Sequence, residues 1–272
     1  MNKQINAMYF SATDTTKKVV TSIANQVSLN AGRDSQINMI DFTLPASRRE
    51  AAALTEEDIV IVGVPVYAGR VPNILLKYLR GVAGNGALAV AVVLYGNRNY
   101  DDALIELTDI LALNGFKVVA GGAFIGEHSF SKVLAQNRPD EKDMAIVKDF
   151  ADQIYRKITT NNKWEDLFVN GHRPYRSYYT PKNKNNEPVD LRKVTPRTRS
   201  NCINCKLCVD LCPMGSIDYE DTSKINGICI KCCACIKKCP TDSKYFVDEN
   251  YLRHKQELEV DFSCRREPEI FL

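Results

Sequence analysis

Eight of the nine cysteines within residues 202–240 constrain this 272-residue chain more than any other feature. Cys202, Cys205, Cys208 and Cys212 precede Pro213, and Cys229, Cys232, Cys235 and Cys239 precede Pro240, so both runs read C-x2-C-x2-C-x3-C-P. Each position of the first run finds its counterpart 27 residues later, which marks an internal duplication. Structural zinc is normally closed by two separated pairs of ligands, whereas each half here carries four thiols in one tight run. A disulfide scaffold belongs to a small secreted chain, and the start Met1-Asn2-Lys3 leads into a short apolar run without a small-residue cleavage site. A cluster of iron and sulfide, which needs four thiolates converging from four directions, fits the pattern better than either.

Residues 202–240 resemble a bacterial two-cluster 4Fe-4S ferredoxin. In that family the first three cysteines of a run wrap one cluster and the fourth, placed before proline, reaches across to the other. The resemblance implies one cluster on Cys202, Cys205, Cys208 and Cys239, and a second on Cys229, Cys232, Cys235 and Cys212. Cys233 aligns with Lys206, a position that supplies no ligand, and Cys264 stands alone; both are read as spare thiols.

None of the ten cysteines lies before position 202, so two kinds of stabilisation occupy two parts of the chain. A composition 44% hydrophobic over this length can bury a sizeable core in the first part. The longest apolar stretch, Ala87 to Tyr95, is far short of a membrane span, and a cytoplasmic, reducing location is expected. Charge is uneven: residues 1–158 hold 17 basic and 17 acidic side chains, 159–199 hold 9 and 4, and 200–272 hold 10 and 12.

Ile5 to Phe10 is an apolar run that stops at Ser11-Ala12-Thr13-Asp14-Thr15-Thr16, after which Val19, Ile23 and Val27 recur at helical spacing. The hydroxyl-rich stretch is therefore a strand-to-helix turn, with free backbone N–H groups and the positive end of a helix dipole; a phosphate monoester could use it, and so could an ordinary helix cap. Further strands are expected at Ile37–Ile40, Ile59–Val62, Ala87–Leu94 and Lys117 to about Phe124, with helices at Asn73–Arg80, Asp101–Leu113 and Pro139–Ile158. Strand alternating with helix means an α/β fold with a parallel sheet covered on both faces. Ligands of such sheets sit beyond the carboxyl ends of the strands, where the unusual loops after strands one, three and four all fall.

Those loops resemble the flavodoxin family. Ser11, Thr13, Thr15 and Thr16 look like its phosphate loop, and Val66, Tyr67, Ala68 and Gly69, with Gly96, Asn97, Arg98 and Tyr100, lie where flavodoxins enclose the isoalloxazine. The resemblance implies bound FMN and a five-stranded parallel sheet of order 2-1-3-4-5, with Tyr67 and Tyr100 as candidates to stack on the ring. Asp14 departs from the pattern, standing where flavodoxins usually place glycine. A carboxylate there would repel a phosphate dianion unless turned away, and Asp accepts a positive φ less freely than Gly.

Trp164 to Ser200 has little periodicity and is rich in Asn, Pro and Tyr, including Arg173-Pro174-Tyr175-Arg176-Ser177-Tyr178-Tyr179. Interleaved basic and aromatic residues can bind single-stranded nucleic acid, but the modest basic excess favours a strap that packs its tyrosines on the two domains. The expected organisation is a flavodoxin-like FMN domain at 1–160, a basic connector at 161–198, an α+β two-cluster ferredoxin domain at 199–250, and a tail at 251–272 that docks on the body. A short helix is expected at Tyr251–Leu258. His128, in the loop after the fifth strand, could approach the flavin, with a surface position the favoured reading, and His172 and His254 carry no signal.

Over nearly its whole length the chain is similar to fusion proteins of anaerobes that join a flavodoxin-like domain to a two-cluster ferredoxin. Clusters pass single electrons whereas FMN holds one or two, so the resemblance implies an intracellular relay that couples one- and two-electron redox partner proteins. The alternative is a ferredoxin-linked flavin reductase acting on a quinone, nitro compound or oxygen. No G-x-G-x-x-G nicotinamide fingerprint occurs, and no catalytic residue, nucleic acid or membrane partner is expected.

Overall fold

The computed structural model describes residues 3–32, 37–161 and 163–272; the Met1-Asn2 start, on which the reading of no leader rests, lies outside them. The first strand, β1 (Gln4–Tyr9), enters α1 (Thr15–Asn30), followed by β2 (Asn38–Asp41), β3 (Asp58–Pro65), α2 (Leu76–Gly81) and β4 (Leu88–Tyr95). Then come α3 (Ala103–Leu113), β5 (Lys117–Ile125) and α4 (Glu141–Thr160). The five strands are parallel and lie in the order β2-β1-β3-β4-β5. That is the flavodoxin-like order, with the reversal of direction between β1 and β3.

The two faces of the sheet follow from strand alternation. Ile5, Ala7, Tyr9, Ile59, Ile61, Val90 and Val92 meet Val19, Ile23 and Val27 of α1 and Val147, Phe150 and Ile154 of α4. Met8, Val60, Val62, Ala89, Ala91 and Val93 face α2 and α3 through Leu79, Leu104, Leu107 and Leu111. Every residue of β4 is buried, as expected of a central parallel strand covered on both sides. α1 lies so close to β3 that a Cβ on Gly63 would stand 2.1 Å from Val20 Cγ2.

The sheet exceeds the expected five strands. The chain's last strand, β8 (Glu269–Phe271), adds antiparallel to β5, pairing Gly121 with Phe271 and Ala123 with Glu269. Three residues after a proline offer no period to detect, so sequence reading captures only the apolar character of the tail. Between α4 and β8 lie β6 (Arg197–Thr198), α5 (Leu207–Asp210), α6 (Ala234–Lys237), β7 (Lys244–Tyr245) and α7 (Glu249–Asp261). β6 and β7 form a two-stranded antiparallel sheet. α7 is longer at both ends than the Tyr251–Leu258 expected; at its start Asp248 caps it by accepting from Tyr251 N–H at 2.9 Å.

The connector is a strap laid on the first domain. Asp102 is fully buried and accepts from Arg176 Nη2 at 2.6 Å, Arg176 N at 2.7 Å and His172 N at 3.1 Å. Hydrogen bonds from Arg176, working against the cost of burial, hold the Asp102 carboxyl well below the usual carboxylate range. Asp109 takes Arg173 Nε at 2.9 Å and Tyr175 Oη at 2.5 Å, and Tyr178 Oη donates to Val71 O at 2.9 Å. Arg70, paired with Glu106 at 2.7 Å, has the rings of Tyr175 and Tyr178 at 4.7 and 5.0 Å. The basic and aromatic residues of 173–178 are thus turned onto the protein.

Candidate functional site

The 27-residue duplication is written into the backbone of the cluster region. α5 and α6 start 27 residues apart, each capped by a residue in the left-handed region, Lys206 (φ 64) and Cys233 (φ 60). Asn204 and Lys231 (both φ 54), and Gly215 and Asp242 (φ 59 and 50), repeat at the same interval. Ser216 N–H donates to Cys212 Sγ at 3.4 Å and Ser243 N–H to Cys239 Sγ at 3.2 Å, so each cysteine before a proline receives the same backbone hydrogen bond.

The two halves enclose two cavities. Cys202, Cys205, Cys208, Cys235 and Cys239 line one; Cys212, Cys229, Cys232, Cys233 and Cys235 line the other. Each therefore holds the first three cysteines of one run and the fourth of the other run, the exchange that two clusters require. Among the described residues no three His, Cys, Asp or Glu side chains converge closely enough to hold a single ion; the thiols stand around volumes instead. Burial pushes the Cys232 thiol up to about 12 and raises Cys208, Cys229 and Cys235. A buried thiol of this kind is held as thiolate by a metal's charge. Cys239 goes the other way: burial opposes its ionisation, but Thr241, Ser243 and Lys244 outweigh it and the thiol falls below its ordinary value. Cys233 is buried with its Sγ 3.6 Å from Tyr251 Oη, and Cys264 is exposed.

On the first domain a trough runs along the carboxyl edge of the sheet. Its narrow end, about 60 Å³, is lined by Thr13, Thr15 and Thr16 at the start of α1, with Gly126, Glu127 and Ser129 after β5. It shares Val66, Tyr67, Tyr95, Gly96 and His128 with a wider cavity of about 240 Å³. Ala68, Gly69 and Arg98 line only the wider part. Gly96 is required where it stands, since a Cβ there would lie 2.4 Å from His128 Cδ2. A short row of hydroxyls at a helix start and a broad slot between strand-end loops suit a phosphate and a flat ring respectively.

Three expected residues are placed elsewhere. Tyr100 is buried, its ring on Tyr95 and its hydroxyl donating to Glu269 Oε2 at 2.6 Å; it anchors the last strand and lines neither cavity. Asn97 Nδ2 donates to the carbonyls of Phe262 and Cys264 at 2.6 and 2.8 Å, so it secures the tail. Ser11 turns its hydroxyl inward to accept from Lys17 N at 3.0 Å. Asp14 adopts φ 66, the glycine-favouring region, and its carboxylate lies outward, 2.6 Å from Lys238 Nζ of the cluster domain.

Sequence reading missed the far wall of the slot. His128 is half-buried in the loop after β5, not a surface residue, and burial together with His254, Lys237 and Arg98 pushes its imidazole down to about 3. Tyr179 of the strap stands over Arg98 at 4.8 Å and stacks on His254 at 5.8 Å. His254, 6% exposed, comes from α7 and also lines the slot. The loop after β5 lies at the same sheet edge as the loops already singled out, which is what makes His128 a candidate to approach the flavin. The sequence holds no comparable signal for His254.

The slot and the cysteine cavities are neighbours. Ile230 and Lys231 line both the slot and the second cysteine cavity, and Ala234 and Cys235 line both cysteine cavities. Cys232 and Ala234 are packed into the hydrophobic core of the first domain, and Arg48 Nη2 donates to Pro213 O at 2.5 Å.

The chain thus carries a cysteine-rich domain on the ligand edge of a doubly wound α/β domain. Residues 166–256 match the family model described as 4Fe-4S dicluster domain, a match that begins inside the strap. The chain joins that dicluster domain to an amino-terminal domain of flavodoxin-like fold. Solved structures similar to it include a flavodoxin from the domain Archaea, at 19% identity over 58% of this chain and 99% of that one, with a TM-score of 0.40. A flavodoxin of Streptococcus pneumonia TIGR4 shows 17% identity over 57% and 99%, at 0.39. The rubredoxin oxygen:oxidoreductase of Desulfovibrio gigas shows 19% over 58% and 36%, at 0.36. At these scores the fold assignment rests on the strand order described above. No curated protein matches the chain. Among the described residues no helix is long and apolar enough to cross a membrane.

Proposed function

We propose that the chain relays electrons between two 4Fe-4S clusters and an FMN, exchanging one-electron for two-electron traffic between redox partner proteins. The observation that carries this reading is the run of shared walls: the first cysteine cavity, the second, the slot and the narrow end follow one another, each sharing at least two lining residues with the next. Cys202, Cys205, Cys208 and Cys239 would hold the outer cluster, and Cys229, Cys232, Cys235 and Cys212 the inner one, beside the slot. Thr13, Thr15 and Thr16 would take the phosphate, with the N-terminal dipole of α1 behind them. Tyr67 and Tyr179 flank the space for the ring, and Arg98 and Lys231 bring positive charge to it. FMN, when bound, supplies the capacity for one or two electrons; the chain orients it, screens it from water with the strap, and places the inner cluster against it.

The exposure of Cys205 marks the outer cluster as the side where a partner protein exchanges electrons. Anaerobically purified protein is expected to carry about eight irons, a matching amount of sulfide and about one FMN. A preparation that takes up iron but no flavin from excess FMN would reduce the reading to a ferredoxin with a docking domain.

The second reading, a ferredoxin-linked flavin reductase acting on a small acceptor, draws on His128 and His254 beside the slot. Imidazoles there could move a proton to an acceptor stacked on the ring. Turnover of a quinone or nitro compound without any partner protein would favour it; its absence, with rapid reduction of a partner, favours the relay.

A further inference from the structure

Two carboxylates stand by the narrow end of the trough, a poor setting for a phosphate dianion: one lines it and the other is turned outward beside it. Asp14 sits between Thr13 and Thr15, and Glu127 lines the cavity beside them. Each is met by a lysine from the cluster domain: Lys238 Nζ is 2.6 Å from Asp14 Oδ2, and Lys237 Nζ donates to Glu127 Oε2 at 2.9 Å. The Lys237 side chain is 14% exposed and its partner Glu127 35%, whereas Lys238 is 26% and its partner Asp14 62% exposed, so the Glu127 pair is the less screened of the two. The other Glu127 oxygen accepts from Asn137 N at 2.9 Å. Nearby Lys18 is engaged with Pro139 O at 2.8 Å, which leaves the two cluster-domain lysines as the cations that answer these carboxylates.

The two lysines are consecutive and lie between Cys235 and Cys239. α6 is a single turn of four residues, too short to hold its own shape in water, so its placement depends on the thiols to either side. Lys238 also lines the outer cysteine cavity.

We propose that Lys237 and Lys238 complete the FMN phosphate site from across the domain interface, each cancelling one carboxylate, so that the flavodoxin-like domain holds the phosphate only with the cluster domain docked. The proposal rests on the FMN reading and extends it. It explains how the chain tolerates Asp14: the carboxylate is an interdomain tie, and its charge is spent on Lys238.

The test compares FMN with riboflavin, which lacks the phosphate, on cluster-loaded full-length protein whose iron and sulfide contents are measured. In Lys237→Ala and Lys238→Ala, the FMN dissociation constant is expected to rise about tenfold each, while riboflavin binding stays unchanged. Asp14→Gly in the Lys238→Ala background is expected to recover most of the loss, because the charges again balance. Asp14→Gly alone, which touches no cluster ligand, is expected to tighten FMN several-fold by freeing Lys238. The proposal is overturned if the lysine variants bind FMN like the wild type, if they lose riboflavin in the same proportion, or if Asp14→Gly leaves or weakens FMN binding. Wild type that binds riboflavin and FMN equally well overturns the phosphate site alone. Wild type that binds neither removes the FMN reading as well.

Discussion

The two domains are built on opposite terms. In the flavodoxin-like domain, strands β1, β3 and β4 are apolar on both faces and buried between two layers of helix. In residues 200–248 the buried apolar side chains are Ile217, Cys232, Cys233, Ala234 and Phe246, and two of those five belong to the first domain's core. Too little apolar surface is hidden there to offset the entropy of ordering the chain. The sulfur ligands are what organise it. One half folds by excluding water, whereas the other folds by coordination, and the ligand edge is where the first lends its core to the second.

The largest effect is expected from removing iron. Chelation, or Cys232→Ala, should abolish ordered structure across residues 200–248 while the sheet persists; metal-coupled folding in small domains is worth about 10 kcal/mol or more. Hydrogen exchange resolved by peptide would show it, and equal loss of protection in β3 and β4 would break the contrast. Phe150→Ala, which opens the packing against Phe124 at 5.8 Å, should cost the first domain about 3–5 kcal/mol. Denaturant melts should register that loss with iron content unchanged.

A smaller effect is expected at the strap. Arg176→Ala leaves the buried Asp102 carboxylate with only its backbone donors and His172, and should cost about 2 kcal/mol, read as faster proteolysis within residues 163–200. Acid should act in the same place. The carboxyls of Asp102 and Asp109 lie below their ordinary values in the fold, so the unfolded chain binds protons first. The strap's contribution is therefore complete above about pH 4 and is lost as pH falls further. Strap protection unaltered down to pH 2 would contradict the assignment. The least is expected of Tyr100→Phe, which removes the hydroxyl bond to Glu269 and should cost about 1 kcal/mol, loosening β8 without changing flavin content.

The same division explains what was legible in the sequence. Period and spacing carry the sheet: β3, β4 and β5 fall within a few residues of where apolar runs place them. The duplicated cysteine run was legible because ligand spacing is local, whereas the exchange of the fourth cysteine came only with the ferredoxin resemblance. What escaped was long-range and polar. His254 belongs to an unremarkable amphipathic helix, Tyr179 to a stretch without period, and the Asp14–Lys238 pair joins residues 224 apart. Asn97 and Tyr100 occupied the right loop but face the tail, which a loop's position does not foretell. β8 was hidden because three residues cannot display alternation.

The proposed relay requires the wall shared by the second cysteine cavity and the slot, Ile230 and Lys231, to be thin enough for electrons to cross within one molecule. Flash reduction of the clusters in anaerobic protein, followed by the flavin absorbance, measures this crossing directly. An intramolecular relay gives a first-order transfer whose rate is the same at every protein concentration. A rate that rises in proportion to concentration would mean that electrons pass between molecules, and would contradict it.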